Sequence, residues 1–243
     1  MCCIRFAKLC PSPCSKMKST NRPIMITKTY TSFFKELAKN NNKEWFHTNK
    51  KRYEIEVKNP FLKLLEELIP ALTEWDHRIL ADPKKAMFRI NRDVRFSKDK
   101  TPYHTILKAG FSPNGKKSVL PGYYLGIDAE NIHVGGGLFM LHPPELKKVR
   151  EHIADDPEVL IKLVSDTSFT QNFGKLKGEK AKRLDKSLLP VAEKTDLIYH
   201  KQFYAMAEFP LEPFYESSKL QDEVLSHFEA IKPLNTYLGQ ALD

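Results

Sequence analysis

Between Phe88 and His104 the chain reads FRINRDVRFSKDKTPYH, and no other stretch gathers so many residues suited to chemistry on an anion. Arg89, Arg92 and Arg95 offer planar guanidinium forks, while Lys98 and Lys100 offer ammonium charges, a set that matches phosphate or carboxylate. Phe96 and Tyr103 add ring faces for stacking. Asp93 and Asp99 in the same run have two uses. They can neutralise the arginines in an internal salt-bridge network, or they can bind a cation or act as general bases, with His104 or His133 carrying protons. The sequence leaves both open.

Catalytic signatures are otherwise missing. There is no HExxH, no GxSxG, no P-loop and no dinucleotide fingerprint, so whether the protein is an enzyme stays open, and no metal-ligand set or cofactor is assigned. Gly135, Gly136 and Gly137 could form a backbone nest for an anion or let another segment pass closely; with no helix directly following, close approach is favoured. Solitary histidines such as His47, His77 and His227 read as surface or satisfied core residues. Trp45, Phe46 and Tyr53 read as packing, and their neighbours Asn41, Asn42, Lys43 and Glu44 would join the two signatures if they line the same cleft.

The charge distribution bears on the class of partner. The chain of 243 residues carries a net +9, which invites a nucleic-acid reading. Five basic residues and no acid lie in residues 1–24, leaving 34 against 30, a balance of +4. Arg89 to Lys108 and Lys175 to Lys186 are each locally +4, so the remainder is −4. Two basic islands on a nearly balanced body suit a local anion site better than a broad polyanion face.

All four cysteines (Cys2, Cys3, Cys10 and Cys14) fall in the first fourteen residues, which removes a core thiol nucleophile and a core disulfide. Their spacing lacks the pattern of a zinc site. No apolar run is long enough for a signal-peptide core or a membrane span, so the expected compartment is the cytoplasm. Residues 1–24 read as a disordered basic leader or a mis-set start, and 25–243 as one domain.

The elements that must position these residues follow from periodicity. Tyr30 to Lys39 is a predicted helix, with Thr31 or Ser32 as its cap. Asn40 to Asn42 turn into a second helix, Pro60 breaks or restarts it, and Phe61 to Trp75 forms another that Pro70 kinks or ends. From Met87 to Ser97 the alternation is strand-like. Its even positions are apolar except for Arg92, which must then find a carboxylate or a ligand anion. Tyr103 to Phe111, Gly122 to Asp128 and Ile132 to Met140 read as antiparallel strands. Helices Glu145 to Ile153 and Glu158 to Val164, a long loop from Asn172 to Lys194, a strand Gln202 to Phe209 and a helix Ser217 to Ala230 complete the chain. The expected class is α+β: a helical N-terminal third, a central antiparallel meander packed by helices, and a C-terminal helix.

In this order, NNNKEWFHTNKKRYE, FRINRDVRFSKDKTPYHT, GYYLGI, VGGGLFM and ELKKVREHI resemble a widespread microbial and fungal family, domain of unknown function 2461, from about Met25 to Leu242. The resemblance implies no activity. His104 stands where the family pattern has lysine, which argues against an obligatory catalytic histidine, and RLDKSLLP replaces a proline-lysine-glycine turn. The leading expectation is binding, with turnover left open, of a small anionic or phosphorylated ligand in a cleft anchored by Arg89, Arg92, Arg95, Lys98, Lys100 and Tyr103. The rivals are a nucleic-acid-binding module using both islands and a metal-dependent hydrolase using Asp93 and Asp99. No membrane partner is expected.

Overall fold

The computed structural model describes residues 25–116 and 118–242; the four cysteines and the expected leader lie outside them. Helix α1 (Lys28–Lys39) starts earlier than its apolar spacing predicts, because the Thr27 side chain caps it by accepting from the Thr29 N–H. Tyr30, Phe33, Phe34 and Leu37 are buried along one side of it. Asn42 caps α2 (Lys43–Thr48) by accepting from the Trp45 N–H at 2.8 Å, as the asparagine turn predicts. Helix α3 (Lys50–Arg52), a π-helical turn (Tyr53–Lys58) and α4 (Asn59–Trp75) then follow without a break.

The two prolines differ: Pro60 marks the start of α4, one of its expected roles, whereas Pro70 does not end the helix. Pro60 sits in the first turn of α4, where its missing N–H costs least. Pro70 lies inside α4 without ending it, and both Pro70 and Glu66 one turn earlier are exposed, so the carbonyl freed by the proline is on the wet side.

A short helix α5 (Pro83–Ala86), capped by Asp82, leads to the sheet. Its strands β1 (Leu107–Phe111), β2 (Gly122–Ile127), β3 (Asn131–Leu138) and β4 (Phe203–Pro210) are antiparallel neighbours in sequence order. Asp128 fixes the β2–β3 turn by accepting from the N–H groups of Glu130 and Asn131, both at 2.7 Å. Between β3 and β4 come α6 (Pro143–Asp155), α7 (Pro157–Ser165), α8 (Thr167–Phe173) and α9 (Leu189–Ala192). The expected long loop is therefore only partly irregular.

Strand alternation divides the sheet into two unlike faces. In register, Leu107, Ile127, Ile132 and Phe209 form one row and Ala109, Leu125, Val134 and Ala207 the next, buried on β1 to β3 and half-buried at Phe209 and Ala207 of β4. The C-terminal helix α10 (Lys219–Gln240) packs on this face: Phe228 meets Tyr123 at 5.0 Å between ring centroids, and His227 stacks on Phe209 at 5.0 Å. It runs ten residues past the expected end at Ala230, with Pro233 inside it. The opposite face carries half-exposed side chains and glycines, an arrangement antiparallel sheets allow when helices cover one side only.

The glycine run of β3 serves close approach. A Cβ at Gly135 would lie 2.1 Å from the Ala205 carbonyl oxygen, and Gly137 has φ +115°. No helix among the described residues is long and apolar enough to cross a membrane.

Candidate functional site

The strand expected from Met87 to Ser97 does not form: the segment makes only isolated bridges, the last at Asn91. Met87 bridges Ala109 and Asn91 bridges Tyr103, so this segment lies along the outer edge of β1. The Arg92 N–H donates to the Pro102 carbonyl at 2.9 Å and the His104 N–H to the Ile90 carbonyl at 2.8 Å. Residues 93–101 leave the edge because two aspartates offer the backbone an alternative. Asp93 accepts from the Arg95 N–H and Asp99 from the Thr101 N–H, each closing a local turn.

The same aspartates consume two of the three guanidinium groups. Arg92 is paired with Asp99 and Thr101, with the Ser97 hydroxyl 3.5 Å away. Arg95 donates to both oxygens of Asp93, at 3.0 and 2.6 Å. The carboxyl pKa values record this. The Thr101 N–H, with Arg92, pulls Asp99 down to about 2, and the Arg95 hydrogen bond lowers Asp93. Arg89 is exposed and makes no hydrogen bond or ion pair among the described residues, although Asp93 feels its charge. Lys100 donates to the Val94 carbonyl at 2.9 Å, Lys98 is exposed, and Phe96 at the loop tip is 96% exposed. The three arginines thus form no common fork. Among the described residues no group of three or more His, Cys, Asp or Glu could hold a metal ion.

A different cluster forms on the open face. Antiparallel pairing places Phe88 and Arg92 from one segment, and His104 and Lys108 from the other, on the side away from α10. Arg92, His104 and Lys108 are half-buried cationic or ionisable groups near enough to oppose one another's charge. Burial, then Lys108 and Arg92, lowers the His104 pKa; burial, then Arg92, lowers that of Lys108. Asp99, 57% exposed, is the carboxylate paired into this group. On β2 beside it stands Tyr124, whose hydroxyl lies 2.8 Å from where a Gly126 Cβ would be. Burial, with the charge of Asp128, pushes the Tyr124 hydroxyl up to about 12.

Lys108 and Tyr124 were not singled out from sequence. A signal existed for Lys108, since the alternation of the strand from Tyr103 to Phe111 gives it the parity of His104. Tyr124 needed the register that sets β2 against β1.

Tyr103 turns the other way. Its ring stacks on Phe46 of α2 at 4.0 Å and 19°, and its backbone is held from both sides by Asn41, whose amide donates to the carbonyl at 2.9 Å and whose oxygen accepts from the N–H at 3.1 Å. The two sequence signatures therefore do meet. Where they join is a groove of about 560 Å³ lined by Lys43, Glu44, Phe46, His47, Lys50, Asn91 and Tyr103.

At the far end of the open face, His133 bonds Asp128 at 2.8 Å through Nε2 and has Glu208 3.5 Å from Nδ1. Asp128 ends below its ordinary pKa because the His133 and turn N–H bonds outweigh burial, which acts to raise it.

With this geometry in place, comparison with known proteins adds a family and no activity. A family model described as "Conserved hypothetical protein (DUF2461)" matches residues 29–237. No curated protein matches the chain.

Proposed function

Because the chain belongs to the DUF2461 family, whose description assigns no activity, we propose from this member's own geometry that it binds a small anionic or phosphorylated ligand, with the anion seated between Arg92, His104 and Lys108. One observation carries this reading: two cations, Arg92 and Lys108, and the ionisable His104 are half-buried together on an open sheet face, with one exposed carboxylate between them. Such a grouping is destabilising by itself and is relieved by an anion. Internal salt bridges account for Arg92 and Arg95 but leave Lys108 without an ion pair among the described residues.

The experiment is a melting series in sulfate and phosphate with wild type and Lys108→Met. Ligand at a hundred times Kd stabilises by about 2.7 kcal/mol, which at about 2–4 °C per kcal/mol for a domain of this size is about 5–11 °C. Lys108→Met should melt higher than wild type without ligand and respond little to it. An unmoved wild-type melting temperature would count against the proposal. The groove beside α2 supports a second seat, because Lys43, His47 and Lys50 line it against Glu44 alone. A response that survives Lys108→Met but falls in Lys50→Ala would move the ligand there.

A further inference from the structure

The open face continues from the cationic cluster as two rows of residues, and they differ in kind. One row, set by register, runs Lys108, Gly126, His133, Glu208. It is cationic at one end and anionic at the other. Three inter-strand spacings of about 4.8 Å separate those ends by about 14 Å. Asp128 is occupied by the turn and by His133, whereas Glu208 is 58% exposed and its contact to His133 is long, so Glu208 is the acceptor that a ligand can reach.

The second row runs Gly110, Tyr124, Gly135, Met206. Its glycines lie under the large side chains around them. A Cβ at Gly110 would meet the Phe88 ring at 3.3 Å and one at Gly135 the Met206 sulfur at 2.5 Å, while Tyr124 leans over Gly126 of the first row, where a Cβ would meet its hydroxyl at 2.8 Å. Phe88, Tyr124 and Met206 therefore lie down over glycines and do not stand off the sheet. The Lys116 ammonium lies over the Phe88 ring, 5.2 Å from its centroid, so what faces a ligand is a low shelf of the Tyr124 ring and the Met206 thioether, a surface on which a flat ring stacks.

Resting on the anion seat proposed above, we infer that the ligand is an elongated molecule of the nucleoside-monophosphate type. Its phosphate sits at Arg92, His104 and Lys108, its planar ring lies on the Tyr124–Met206 shelf, and an amino group of that ring donates to Glu208. The reversal of sign along the row disfavours a polynucleotide, which would carry further phosphates within those 14 Å and set one against Glu208.

The test is calorimetric titration of the full chain with adenosine 5′-monophosphate, inosine 5′-monophosphate, ribose 5-phosphate and inorganic phosphate. The adenine nucleotide should bind about tenfold tighter than the inosine nucleotide, the yield of one charge-assisted hydrogen bond at a half-exposed site. It should also exceed ribose 5-phosphate by about tenfold or more, the yield of one stacked base. Glu208→Lys should reverse the preference towards inosine, whose ring oxygen accepts, while inorganic phosphate binds as before. Equal affinity for the adenine nucleotide and ribose 5-phosphate, with phosphate binding lost in Lys108→Met, overturns the shelf and leaves the anion seat standing. No binding of any of the four overturns both. A single-stranded oligonucleotide that binds tighter than the mononucleotide, with steep salt dependence, overturns the inference in favour of nucleic acid.

Discussion

The clamp between Asn41 and Tyr103 holds the two sequence signatures together, and its removal has a calculable consequence. In Asn41→Ala the Tyr103 carbonyl and N–H each lose a partner, at 2.9 and 3.1 Å, in a part-buried position. A backbone group left without a partner costs about 1–3 kcal/mol when buried, and the half-exposed setting favours the lower part of that range, so the pair should cost about 2–4 kcal/mol. The Phe46–Tyr103 stack, worth about 0.5–1.5 kcal/mol, loosens with it. Taking about 3 kcal/mol, the melting temperature should fall by about 6–12 °C, and the urea midpoint should drop with an unchanged slope. Asn41→Asp keeps the acceptor for the Tyr103 N–H but sets an oxygen against the carbonyl, so it should recover no more than half of the loss. Should Asn41→Ala fall within about 0.5 kcal/mol of wild type, the range of an ordinary surface change, the clamp does not join the signatures energetically and the groove has no fixed wall.

Further outcomes follow from the same coordinates. Gly135→Ala forces a Cβ to 2.1 Å from the Ala205 carbonyl; the backbone must shift and break β3–β4 pairing, so chemical denaturation should show a loss above about 3 kcal/mol. Gly174→Ala is the comparison, with nothing within 4 Å; its φ of +72° and ψ of −68° are those of a strained γ-turn, so it should lose about 1–3 kcal/mol from backbone strain alone. Sulfate, whose charge is constant, should bind more tightly as pH falls from about 8 to 6, because an anion favours protonated His104, which burial, Lys108 and Arg92 hold below its ordinary 6.5; titration calorimetry should show proton uptake, and His104→Ala should flatten the slope. Asp99 has a folded pKa of about 2 against an ordinary 3.8, so the stability it contributes is complete above about 4 and is lost as pH falls towards about 2. Asp99→Asn should therefore show less acid sensitivity than wild type between pH 4 and 2 in urea melts.

Periodicity made most of the fold legible, and the failures have local causes. The strands of the meander, their order and the helical N-terminal third follow from patterns of two and of three to four residues, which local sequence carries. Pro70 misleads as a possible helix end because its cost depends on where the freed carbonyl points, which tertiary packing sets, and Pro233 is likewise carried inside α10. Arg92 shows the site at its most readable. Alternation marked it as a charge needing a partner, and Asp99, seven residues on, is that partner. The same logic could not see that the segment would make only isolated bridges and that Asp93 and Asp99 would turn the chain away from the β1 edge, because a short side chain competing for backbone N–H groups leaves no trace in the hydrophobic pattern.

The position of the two basic islands decides between classes of partner. Arg89 to Lys108 runs at the β1 edge of the sheet, whereas Lys177 and Lys180 bridge Tyr204 and His200 beyond the β4 edge. Five spacings of about 4.8 Å put them about 24 Å apart across the sheet. Between them, on the open face, stand Asp128 and Glu208, and the second island is itself paired in part, Lys180 with Asp196. A nucleic acid spanning both islands would have to cross those carboxylates, paying Coulomb repulsion midway for attraction at either end. A ligand short enough to stop at Glu208 meets only favourable charge. The net charge of the chain therefore overstates its case for polyanions, and the order of charges along one row of the sheet is what limits the ligand's length.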